Sequence, residues 1–184
     1  MRAWCLVAVC STGCAQLAGI DETSARDAAT DATVDARSDG TIDAAVCAGG
    51  DARVTDLMTG ACYTFFMAPQ SRNDARATCS GLGSGTSLAS VQSAAENQLL
   101  ATLVGAGIAF VGGNDELTEG AFKWEDGSDV VLTNWNTGEP NNGAGTYEED
   151  CIVINGALAG KWDDRPCAPG AGIEGAYPFV CERD

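Results

Sequence analysis

The sequence predicts an α+β domain over residues 47–184, and three observations carry that prediction. Two serine-capped helical patterns precede a run of short apolar segments divided by Gly, Asn, Asp and Pro. Six cysteines, an even set, fall in that stretch. A long connection from Thr133 to Asp150, rich in Asn and Gly, has no helical or strand period and is bracketed by Trp135 and Cys151.

Residues 1–14 form an expected export signal. Arg2 supplies one cation, and the apolar run Ala3 to Cys10 is far shorter than the ~20 residues that span a bilayer as a helix. Ser11-Thr12-Gly13-Cys14 resembles the lipobox of bacterial lipoproteins, with Cys14 as the lipidation site; secretion after cleavage nearby is the alternative. Residues 15–46 read as a disordered linker rich in Ala, Asp and Thr. Asp27, Asp31, Asp35, Asp39 and Asp43 recur every fourth position. In a helix they would share one face and repel at roughly 0.2–0.5 kcal/mol per pair, so a flexible spacer is expected.

In the domain, Cys62 to Phe66 reads as a strand. Ser71 with Asp74 opens a short helix carrying Ala75, Ala77 and Cys79, closed by Gly81 and Gly83. An apolar stretch spans Ser87 to Val91, and Ser93 with Glu96 opens a second helix whose stripe is Leu99, Leu100, Leu103 and Val104, before Gly105. Strand-like runs follow at Ile108 to Val111, Ala121 to Trp124, Val130 to Leu132, Cys151 to Ile154 and Tyr177 to Cys181. Trp124, Trp135 and Trp162 are read as core residues rather than sugar-stacking platforms.

Composition narrows the chemistry. The chain has 184 residues and a formal net charge of -16, which disfavours nucleic acid and anionic membranes and suits cations or neutral polar ligands. It has no histidine, which removes Ser-His-Asp and Cys-His catalysis and histidine-ligated zinc. Between Asp115 and Asp164 twelve acids face two lysines. Carboxylates and Asn carbonyls converging without imidazole or free thiolate would select a hard ion, and a flexible oxygen cage suits Ca2+ better than Mg2+. Cys47, Cys62, Cys79, Cys151, Cys167 and Cys181 fit three disulfides in an oxidising compartment, with 15 possible pairings.

Over essentially all of 47–184 the chain resembles a C-type lectin domain of the long form. The matching segments are Cys62-Tyr63, Phe110-Val111-Gly112-Gly113, Asn114 to Gly120, Asn134-Trp135, Glu139-Pro140-Asn141, Glu149-Asp150-Cys151, Trp162-Asp163-Asp164, Cys167 and Pro178-Phe179-Val180-Cys181. The resemblance implies the C-type lectin-like fold, with two helices, short antiparallel sheets and a long calcium-binding loop. It implies the pairs Cys47-Cys62, Cys79-Cys181 and Cys151-Cys167, and a cis peptide before Pro140. It implies that Glu139, Asn141, Glu149, Asp163 and Asp164 hold one Ca2+ and also bind the sugar, with Glu148 the neighbouring alternative to Glu149. A second metal site would use Asp115, Glu119, Asn142 and Asp150.

The function so implied is a calcium-dependent carbohydrate-binding module that is not an enzyme. Its partners would be glycans with mannose-type hydroxyls, and clustering would supply avidity. It would sit on the bacterial surface or outer membrane as a lipoprotein, or be secreted, meeting membrane only through the N-terminal anchor. The alternative is a calcium-stabilised domain that binds a protein or other non-sugar ligand. Asp163 stands where the family usually has Asn, which removes a hydrogen-bond donor and adds a charge.

Overall fold

The computed structural model describes Cys47, residues 49–170, Gly172 and residues 174–184. The expected signal, lipidation site and linker lie outside the described residues. None of the described helices is long and apolar enough to cross a membrane.

The fold is α+β, with two α-helices and a seven-stranded sheet among the described residues. Its strands are β1 (Ala52–Thr55), β2 (Cys62–Gln70), β3 (Thr86–Leu88), β4 (Ile108–Asn114), β5 (Cys151–Asn155), β6 (Lys161–Arg165) and β7 (Tyr177–Arg183). Its helices are α1 (Arg72–Gly81) and α2 (Ala94–Val104). One sheet runs in the order β1-β2-β7-β4-β5-β6, with β3 also paired to β7. All pairs are antiparallel except β4 with β7.

Local chemistry sets both helix starts. Ser71 Oγ accepts the Asp74 N–H, and Ser93 Oγ accepts the Glu96 N–H at 3.1 Å. Glu96 Oε2 returns a bond to the Ser93 N–H, which completes a capping box and satisfies two of the otherwise orphaned amides.

The central strands are apolar on both faces because two core clusters share them. Ile152 and Ile154 of β5 join Leu100, Ala101, Val104 and Trp162, whereas Cys151 and Val153 join Ala75, Cys79, Leu88 and Phe179. Side chains alternate along a strand, so the continuous apolar run Cys151 to Ile154 serves two layers. Disulfides join Cys47 to Cys62, Cys79 to Cys181 and Cys151 to Cys167, the pairs the resemblance implies.

Sequence and structure differ in four elements. Ala121 to Trp124 and Val130 to Leu132 are not strands; Lys123 makes only isolated bridges to Asn114 and Asp129. Turn residues Gly120, Asp126 and Gly127 cut the segment too short to form a ladder. Conversely, β1 and β6 form although neither carries a strong apolar signal. β6 reads Lys-Trp-Asp-Asp-Arg, and its alternation is hidden because the buried face carries Trp162 together with the charged Asp164.

Candidate metal centre and ligand loop

The β5–β6 hairpin carries the site. Its register sets Ile152 against Asp164 and Val153 against Asp163, so the residues just before β5 lie beside those that end β6. The Cys151-Cys167 disulfide ties the outer ends of the two strands. From the other side comes the long connection, in which the Glu139-Pro140 bond is cis and Asn142–Gly145 makes a short 3-10 turn.

Carboxylate oxygens of Glu139, Asp163 and Asp164 all lie within 4.8 Å of one another. Asp164 is 1% exposed and accepts the Asn141 N–H at 2.9 Å and the Asn142 N–H at 2.6 Å. It therefore fixes the loop immediately after Pro140. The Asn141 side-chain amide donates to Glu139, and its Oδ1 accepts the Ala144 N–H at 2.8 Å. Burial pushes the Glu139 carboxyl above its ordinary range; the Asn141 bond opposes this, and the charges of Asp163 and Asp164 add to it. Two carboxylates ~5 Å apart repel by about 3 kcal/mol at an effective dielectric of 20, so an intervening cation would lower the energy of this group.

Glu149 stands beside that trio and is not part of it. It is buried, and its Oε2 accepts the Gly143 N–H at 2.6 Å. Burial raises its pKa, the Gly143 bond opposes that, and Asp164 contributes in the raising direction. Glu148 accepts from the Asn142 side chain at 2.9 Å.

A second acidic group joins Asp115, Glu119 and Asp150, again with oxygens within 4.8 Å of one another. Asp115 is buried, with Oδ2 on the Gly120 N–H at 2.7 Å, while Oδ1 is shut away from solvent with no hydrogen-bond partner. Burial raises its pKa to about 6 against the pull of the Gly120 N–H, with Glu119 and Asp150 adding to the rise. An orphaned buried carboxylate oxygen carries a desolvation cost that a hard cation would relieve, so this all-oxygen group fits Ca2+. Asn142, expected here, has its carboxamide engaged elsewhere: its Oδ1 accepts the Glu149 N–H at 2.7 Å and its amide donates to Glu148.

Several acids of the constellation already have cationic partners. Buried Arg72 holds Glu116 at 3.0 Å and Glu125 at 2.7 Å, and Arg76 holds Glu125 at 2.9 Å. Lys123 pairs with Asp129. Arg165 pairs with Asp163 at 2.5 Å. Sequence reasoning missed this last contact, although residues two apart on a strand share a face. Trp124 and Trp162 are buried. Trp135 is half-buried and, with Phe122, Val130, Thr133 and Pro140, lines a cleft of about 390 Å³.

Residues 68–183 match the family model of the lectin C-type domain. The chain belongs to the C-type lectin domain family. It is 35% identical over 136 residues to the alpha-N-acetylgalactosamine-specific lectin of Patiria pectinifera, covering 67% of this chain and 74% of that protein. Among solved structures, the carbohydrate-recognition domain of the mouse scavenger receptor C-type lectin is 30% identical, with a TM-score of 0.60 over 70% of this chain and 94% of that one. A calcium-independent type II antifreeze protein is 26% identical, with a TM-score of 0.58 over 72% and 95%. C-type lectin domains are generally not enzymes, and they typically bind calcium.

Proposed function

We propose that this C-type lectin domain is a calcium-dependent glycan-binding module. The observation that carries the proposal is the Glu139, Asp163 and Asp164 group, set against a loop that Asp164 itself pins through the amides of Asn141 and Asn142. Glu139, Asn141, Asp163 and Asp164 would hold the ion, with Glu149 adjacent and reaching it once its Gly143 bond is exchanged. Asp115, Glu119 and Asp150 would hold a second ion.

Bound calcium would supply a Lewis-acidic centre with coordination positions left for sugar hydroxyls. The chain's own part is orientation. A carboxylate accepts a hydroxyl proton and a carboxamide donates to a hydroxyl oxygen, so the order Glu139 then Asn141 specifies which hydroxyl lies on which side. By its resemblance, Glu139-Pro140-Asn141 favours mannose-type equatorial hydroxyls. The related Patiria lectin is named for N-acetylgalactosamine, so the comparison sugar is galactose-type. An exported location, either lipid-anchored through Cys14 or secreted, accords with the three disulfides.

The test is retention on immobilised mannose and on immobilised N-acetylgalactosamine, with millimolar calcium and with chelator. Retention on mannose that chelator abolishes supports the proposal. Preference for N-acetylgalactosamine would overturn the mannose assignment alone. A second possibility, recognition of a non-sugar surface, is favoured by the loop's internal bonding of Asn142, Glu148 and Glu149 and by the likeness to a calcium-independent antifreeze protein. Calcium-dependent melting without retention on any sugar would select it.

A further inference from the structure

Among the described residues, Arg165 is the cation in contact with the Glu139, Asp163 and Asp164 group. It lies two residues beyond Asp163 on β6, where alternation puts both side chains on the face opposite buried Trp162 and Asp164. One guanidinium nitrogen reaches Asp163 Oδ2 at 2.5 Å, while Nε is shut from solvent without a partner. Arg165 thus meets one acid expected at the ion, Asp163, by direct contact.

We propose that Arg165 is a built-in counter-ion of the acidic cage: it holds Asp163 in place in the metal-free protein and competes with the divalent ion for the same carboxylates. This rests on the assignment of Glu139, Asp163 and Asp164 as calcium ligands. A guanidinium is always charged and presents a planar fork of donors, so it stabilises adjacent carboxylates that would otherwise repel. The same fixed charge disfavours a dication a few ångströms away. The consequence is a cage that stays assembled without metal and binds calcium less tightly than its acid count suggests.

The experiment uses the full chain, with calcium titrated by calorimetry and melting followed in chelator. Arg165→Met is expected to bind calcium about tenfold more tightly and, without metal, to melt lower than the parent. Arg165→Lys, which keeps the charge but not the fork, is expected to gain no more than about twofold. Asp163→Asn is expected to erase most of the metal-free melting penalty of Arg165→Met, because the two residues then have no charge pair to lose. Calcium binding by folded Arg165→Met that is unchanged or weaker would overturn the proposal. So would equal melting penalties with Asp163 and with Asn at that position. Should Arg165→Met fail to fold, the Lys variant decides: a gain well above twofold contradicts a charge-based role. A parent protein that gives no calcium heat defeats the calcium assignment instead, and the melting comparison still tests the charge pair.

Discussion

Tyr63 sits between two carboxylates and can donate only one proton. Its hydroxyl lies 2.5 Å from Glu96 Oε1 and 3.0 Å from Glu182 Oε1, so one contact is satisfied only if another group carries a proton. Burial pushes the Glu182 carboxyl up to about 7; the Ser90 N–H opposes this, the Glu96 charge reinforces it, and Tyr63 and Asp184 add smaller opposed effects. The folded protein therefore binds a proton that the unfolded chain releases near pH ~4.3. Stability contributed by this group is greatest at low pH and falls as pH rises from about 4.3 through 7. Glu182→Gln is expected to remove that fall and to exceed the parent at pH 8 by on the order of 1 kcal/mol, read by denaturant unfolding at pH 5 and pH 8. Identical pH slopes in parent and variant would contradict this. The family resemblance named Glu139, Asp163 and Asp164 as one set, and their carboxylate oxygens lie within 4.8 Å of one another. Arg165 was not legible, since its role depends on which face of an unrecognised strand it occupies.

Elements deliver these residues to one place. The β5–β6 hairpin brings the Glu149-Asp150 end against Asp163-Asp164, and Cys151-Cys167 closes its mouth across 16 residues. A loop of about that size is worth roughly 3 kcal/mol in chain entropy. Replacing both cysteines by alanine is expected to cost about 2–4 kcal/mol and to weaken calcium binding more than the same change at Cys47 and Cys62, which lie at the β1–β2 end. Equal effects on calcium at the two disulfides would show that the hairpin needs no clamp. The helices were legible because caps are local signals: Ser71 and Ser93 each bond an amide three residues on. β1 and β6 were not, because each is the polar arm of a hairpin and carries little apolar alternation of its own. The apolar runs near Trp124 and Leu132 misled for the converse reason, packing against the core from irregular backbone.

For the molecule as a whole, a net charge of -16 is a cost to the compact state that bound cations would offset. Arg72, Arg76, Lys123 and Arg165 already answer some of the acids. Two further groups, around Asp164 and Asp115, each bring three carboxylates together. Calcium sites of extracellular modules commonly bind near 10⁻⁴–10⁻³ M, and a single shallow sugar site would need several copies on one surface for avidity.

The most direct measurement is calorimetric titration of the full chain with calcium, and separately with magnesium, alongside Asp164→Ala. The expected result is calcium heat with a Kd of about 10⁻⁴–10⁻³ M, little response to magnesium, a raised melting temperature on saturation, and loss of most of that heat in Asp164→Ala. A parent protein whose heat and melting temperature ignore calcium, or an Asp164→Ala variant that folds and titrates like the parent, would contradict it.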